Sequence, residues 1–152
     1  MPKYDVLNEA MIDSPPMVVY KAILNEHAGV THWWMPILEF KLKGDMPIDR
    51  EGAVVIVTIY PTSRIRSAKF SIKMTKIVEA KSIEYEVAGD FVGTGKWTFE
   101  PNDGKTKVQY RINFRLKRLS LILLSLFVDI GKKHSDVIQK GFKACNSYLS
   151  KK

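Results

Sequence analysis

The stretch GKTKVQYRINFRLKRLSLILLSLFVDIGKKHSDVIQKGFKACNSYLSKK, residues 104–152, decides the fold. Its first part alternates. Thr106, Val108, Tyr110, Ile112, Phe114 and Leu116 fall on one parity; Lys105, Lys107, Gln109, Arg111, Asn113, Arg115 and Lys117 fall on the other. A period of two sets them on opposite faces of a strand, one apolar and one wet. At Leu119 the period changes. Ile138, Gly141, Phe142, Cys145, Tyr148 and Leu149 recur at the spacing of one stripe of an amphipathic helix. A strand of about 14 residues spans roughly 45 Å. A helix from Leu119 to Ser150 has a similar length at about 1.5 Å per residue. The pattern predicts one long helix laid along a long-stranded sheet.

The rest of the chain supplies that sheet. Tyr4–Ile12 reads as a strand with Tyr4, Val6, Asn8, Ala10 and Ile12 on one face. Ser14-Pro15-Pro16 reads as a helix start, with Ser14 as the N-cap and proline in the first turn. Val18, Val19, Ala22 and Ile23 are then expected to face the sheet, and the helix to end near Glu26–Gly29. Gly29–Trp34 reads as a second short helix, stopped before Pro36. Strands follow at Ile37–Lys43, Gly52–Tyr60, Arg66–Val78, Ser82–Ala88 and Phe91–Glu100, with a slip of alternation near Lys76–Ile77 that marks a bulge. Pro101-Asn102-Asp103-Gly104 is a turn signal into the last strand. The fold class is α+β: an antiparallel sheet of six to seven strands, wet on one side and covered on the other by the C-terminal helix.

The length of 152 residues suits one domain over 1–152. The N-terminus has no apolar signal-peptide core, and one cysteine excludes an internal disulfide. Both suit the cytoplasm. Leu119–Ile130 is the most apolar run, too short to span a bilayer. The net charge of +8 is uneven: residues 1–104 carry −2 and residues 105–152 carry +10. Such asymmetry serves a solvated strand face, or contact with an acidic partner or an anionic membrane. The membrane reading would use Arg115, Lys117, Arg118, Lys132 and Lys133 around the apolar run, with Leu123, Leu126 or Phe127 touching lipid. The same run also suits core, a cavity mouth or a homodimer contact. No nucleic-acid motif accompanies the charge.

Two local sequences sharpen the layout. Ser14-Pro15-Pro16-Met17-Val18-Val19-Tyr20 follows the first strand, and the aromatic cluster Trp33-Trp34-Met35-Pro36 follows the first helix. With the strand, helix-pair, strands, helix order, they resemble the START-like (SRPBCC) superfamily, in its polyketide cyclase/dehydrase and lipid-transport branch. The resemblance covers nearly the whole chain. It implies a helix-grip fold, with a sheet wrapped around the C-terminal helix and a hydrophobic cavity between them. It implies binding of lipids, polyketides or other apolar molecules, with cyclisation or dehydration in a minority of members. It carries over no catalytic residue.

The apolar face predicted for the sheet holds Phe40, Phe70, Tyr85, Trp97, Phe99, Tyr110 and Phe114, and the helix adds Phe142 and Cys145. Gly93 and Gly95 share the face of Trp97 and Phe99, and fit either a bend or space for a ligand. With Trp34, these make the candidate ligand-binding set Trp34, Phe40, Phe70, Tyr85, Gly93, Trp97, Phe99, Tyr110, Phe114 and Phe142. The polar members of the inner face are Tyr4, Asn8, Tyr85 and Tyr110. His27, His32 and His134 form no metal signature and read as surface or satisfied histidines; Cys145 reads as a buried inert thiol. No phosphate loop, serine elbow or zinc pattern is present, and no cofactor is expected. The sequence therefore points first to a carrier of a hydrophobic small molecule. A cyclase or dehydratase with a tyrosine general acid is the alternative, and a basic interaction module a further one.

Overall fold

A computed structural model describes residues 3–60, 68–119, 122 and 129–151. The chain runs β1 (Lys3–Ile12), α1 (Pro16–His27), β2 (Leu38–Lys43), β3 (Val54–Ile59), β4 (Ala68–Val78), β5 (Ser82–Gly89), β6 (Phe91–Asn102), β7 (Lys105–Leu116) and α2 (Ile130–Ser150). The strands form one seven-stranded sheet in the order β1-β7-β6-β5-β4-β3-β2, every pair antiparallel. Helix α2 packs across β1 and α1, giving the helix-grip arrangement.

Alternation in β7 survives intact. Thr106, Val108, Tyr110, Ile112, Phe114 and Leu116 are all buried. On the wet face, Arg111 bonds Asp5 at 2.8 and 3.1 Å, and Gln109 and Lys107 reach Glu9 at 2.9 and 3.7 Å. Lys107 and Arg111 of the basic face of β7 are thus paired with acids of β1. Arg118 pairs with Asp90 at 3.1 Å. The turn into β7 is tight: Asp103 and Gly104 both have positive φ, 48° and 81°, the geometry of a two-residue hairpin. The β4–β5 register shifts between Met74 and Lys76, close to the expected bulge.

Four expectations are corrected. Ser14 does not cap α1. Pro15 precedes another proline, which forces it into extended backbone (φ −65°, ψ 156°), so the last non-helical residue is Pro15 and the helix starts at Pro16. Pro15 O accepts from Val18 N and Val19 N at 3.0 and 3.1 Å. Val18 is 42% exposed; the buried stripe is Val19, Ala22 and Ile23, continuing to Glu26 and His27. Gly29–Trp34 is not a helix. Gly29 turns at φ 75°, and the Glu26 carboxylate takes the N–H groups of Trp33 and Trp34 that a helix would have used internally. Finally, the C-terminal helix is not continuous from Leu119: Leu119 and Ile122 are helical, with Ile122 N bonded to Arg118 O at 3.1 Å, but a separate helix, α2, starts at Ile130. Asp129 is extended (φ −81°, ψ 99°), and its carboxylate accepts from Lys132 N at 3.0 Å, an N-cap that hydropathy alone concealed. Most of the apolar run, residues 120, 121 and 123–128 with Leu123, Leu126 and Phe127 among them, lies outside the described residues.

Candidate functional site

Three neighbouring strands aim aromatic side chains at α2. Register places Tyr85 of β5 opposite Gly95 of β6, and Trp97 of β6 opposite Tyr110 of β7. The rings of Trp97 and Tyr110 lie 4.5 Å apart, and the hydroxyls of Tyr85 and Tyr110 are hydrogen-bonded to each other. Gly95 makes this possible. A Cβ there would stand 2.4 Å from the Tyr85 ring and 3.2 Å from the Tyr110 hydroxyl.

Two histidines face the same region. His27 comes from the end of α1, its ring 4.5 Å from Phe40 and edge-on to Trp97 at 5.9 Å. Its Nδ1 lies 2.7 Å from the Ile23 carbonyl. A carbonyl only accepts, so Nδ1 carries the proton. His134 comes from the second turn of α2, 6.2 Å from Tyr110 and 5.4 Å from Phe114. It is half-buried as a residue, but its Nε2 is shut off from solvent and has no partner. Burial holds both imidazoles down to about 4, so both are neutral at pH 7; for His27 the Ile23 carbonyl opposes the shift. Burial drives the Tyr85 and Tyr110 phenols upward. The Trp97 indole comes near enough to Tyr85 to oppose that shift, yet its Nε1 makes no hydrogen bond.

These groups surround a cavity of about 30 Å³ between sheet and α2, lined also by Trp34, Phe40, Phe70, Ile59, Ile72, Val57, Val137 and Ile138. A smaller one, about 10 Å³, lies beyond Phe70, between Phe91, Phe114 and His134. Of the ten residues expected at a ligand site, Trp34, Phe40, Phe70, Tyr85, Trp97 and Tyr110 line the first cavity and Phe114 the second. The other three line neither. Phe99 lies edge-on to Tyr20 of α1, and Phe142 edge-on to Trp97. Gly93 is a close approach between strands: a Cβ there would stand 1.7 Å from the Asn113 carbonyl oxygen. A leucine at 93 would break the β6–β7 pairing rather than fill the interior. Gly93 instead borders a larger depression, about 490 Å³, which Phe114 also touches and which is open to solvent beside Lys3, Asp5 and Arg115. Its volume is mostly water-accessible groove, and the buried polar groups do not converge on it.

Behind the cavity the core is locked. Glu26, 1% exposed, accepts from Thr31 Oγ1, Trp33 N and Trp34 N at 2.8, 3.1 and 2.9 Å. This fixes Trp34 against Gly141 of α2, where a Cβ would stand 2.2 Å from the indole, and Trp34 Nε1 donates to Val137 O at 3.3 Å. Cys145 is fully buried, its thiol pushed up to about 12 by burial and then by Glu26, and so is inert. His134, with its buried Nε2 unpartnered, is not the surface or satisfied histidine that the sequence suggested, whereas His27 is buried and satisfied by the Ile23 carbonyl. A signal for both was present. His27 continues the stripe of Val19 and Ile23, and His134 lies four residues before Ile138. Among the described residues no three His, Cys, Asp or Glu side chains converge as metal ligands, and no helix is long and apolar enough to cross a membrane.

No protein-family model and no curated protein sequence matches this chain. Solved structures match it almost end to end. An uncharacterised protein from Rhizobium leguminosarum superposes with a TM-score of 0.71 at 15% identity, covering 99% of this chain and 97% of that one. Ara h 8.0201 superposes at 0.70 with 21% identity, covering 99% and 100%. The Zhui aromatase/cyclase from Streptomyces sp. R1128 superposes at 0.64 with 10% identity, covering 98% and 94%. The fold is START-like, the SRPBCC helix grip.

Proposed function

We propose that this protein binds a hydrophobic small molecule in the interior between the sheet and α2. The observation that carries this reading is a core left incompletely filled where the sheet and α2 meet, with apolar walls and a few buried polar groups. At about 30 Å³ the cavity is far below the roughly 300–1,000 Å³ of ligand pockets. Binding must therefore displace side chains. Ile59 and Phe70 border both cavities and are only half-buried, so they can move at the lowest cost. The aromatase/cyclase neighbour raises a catalytic alternative. Binding is favoured over it because the described lining contains no Lys, Arg, Asp or Glu, its phenols are driven upward from neutral pH, and its two imidazoles, His27 and His134, are held down at about 4.

The test is fluorescence titration with N-phenyl-1-naphthylamine, a neutral apolar probe, against the wild type and Val57→Phe. Val57 is 1% exposed and lines the cavity. Added volume there is expected to weaken the probe by roughly tenfold or more while costing about 1–3 kcal/mol of stability. Unchanged affinity in the folded variant would place the probe elsewhere.

A further inference from the structure

Trp97 Nε1 and His134 Nε2 are both shut off from solvent, both unpartnered, and both belong to side chains lining the same cavity. The Tyr85–Tyr110 pair lines it too. Two facing hydroxyls share one hydrogen bond, so one O–H remains to be donated. Buried polar groups are almost always satisfied, and those that are not mark a missing partner. The space they enclose, about 30 Å³, is about that of one oxygen-bearing group.

Building on the interior-binding reading, we infer that the ligand is an uncharged apolar molecule carrying a hydroxyl, and that this hydroxyl enters the cavity between Trp97, His134 and the tyrosine pair. Trp97 can only donate, and a neutral imidazole donates at one nitrogen and accepts at the other. A hydroxyl both accepts and donates, so it satisfies Trp97 together with either tautomer of His134. A bare carbonyl leaves His134 unmet whenever Nε2 is the acceptor. A carboxylate finds no cation in the described lining and loses its hydration without return. The apolar body then extends past Ile59 and Phe70 toward the second cavity, which offers Phe91 and Phe114. The competing occupant of the polar centre is a single water, which could make the same bonds.

Titration of 1-naphthol, naphthalene and 1-naphthoate into the wild-type protein separates these cases. The expectation is that 1-naphthol binds roughly tenfold tighter than naphthalene, one buried hydrogen-bonding group being worth about that factor, and that 1-naphthoate binds weakest. In His134→Leu, and independently in Trp97→Phe, the naphthol-to-naphthalene ratio falls to within about twofold, whichever way the affinity for naphthalene itself moves. His134→Gln, which keeps a donor and an acceptor, restores part of the ratio. A readout that needs no variant is the ¹⁵N resonance of His134 Nε2, expected to shift with 1-naphthol and not with naphthalene. Equal binding of 1-naphthol and naphthalene to the wild type, or no naphthol-specific shift at His134, overturns the hydroxyl inference and leaves interior binding standing. Failure of all three to bind overturns interior binding itself.

Discussion

Glu26 and His134 are two polar side chains withdrawn into the core of one small protein, and they sit in opposite conditions. Both oxygens of Glu26 meet donors, three in all. His134 Nε2, like Trp97 Nε1 nearby, meets none. The first group is bonded to its own chain and stiffens the joint between α1, the Trp33-Trp34 turn and α2. The second is left with bonding capacity that something else can fill. Satisfaction of buried polar atoms thus divides the interior into a part that holds the fold and a part available to a ligand.

The largest effect is expected where the bonding is complete. Glu26→Ala leaves the Trp33 and Trp34 N–H groups without acceptors and should cost roughly 3–5 kcal/mol in urea unfolding. A loss below about 1 kcal/mol would show that the Glu26 joint is not the lock described.

Acid should act on the other part. The folded histidines titrate near 4 and the unfolded ones near 6.5, so between these values the unfolded state binds more protons and stability falls as pH falls. Going from pH 6.5 to 4.5 should cost roughly 2–3 kcal/mol through His27, and less through half-buried His134. The lowered carboxyls of Asp5 and Glu9 add to acid sensitivity mainly at and below their ordinary values, 3.8 and 4.5 respectively, so this window reports chiefly on the histidines. Unfolding curves across the window should flatten in His134→Leu; an unaltered slope would mean that His134 charges freely in the folded protein.

A smaller effect is expected at Gly141. Helix propensity alone favours Gly141→Ala by about 1 kcal/mol. Contact with the Trp34 ring opposes it, and a net loss of roughly 1–3 kcal/mol is expected in thermal unfolding. A more stable alanine variant would separate Trp34 from α2. The smallest effect is His134→Leu at pH 7. Removing an unpartnered polar atom should leave stability within about 1 kcal/mol, with a gain as the expected sign. A loss above about 2 kcal/mol would give His134 a structural bond and erase the contrast with Glu26.

What the sequence made legible follows the same division. Local, repeated signals were readable: the alternation of Thr106–Leu116, the Asp103-Gly104 turn, the slip near Lys76, and the stripe through Ile138, Phe142 and Cys145. Signals that depend on one residue's bonding were not. Asp129 falls inside the apolar run Leu119–Ile130, and hydropathy does not mark its carboxylate as the cap of α2. Glu26 carried no mark of burial, because its partners are main-chain N–H groups whose approach depends on the turn after α1. Gly93 and Gly95 share a face and a residue type but do different things, one meeting the backbone of β7 and the other two tyrosines. Within the candidate site the aromatic walls were legible as an apolar face. The histidines were not, because polar residues on a helix stripe look like its edge until the packing partner is known.

Interior binding is tested most directly by mapping an apolar probe onto the protein by NMR, residue by residue. Titration with N-phenyl-1-naphthylamine should perturb the side-chain resonances of Phe70, Tyr85, Trp97 and His134 together, with one saturation curve. Perturbations confined to Tyr4, Gly93, Asn113 and Arg115 would put the ligand in the open groove beside β1 and contradict the interior site.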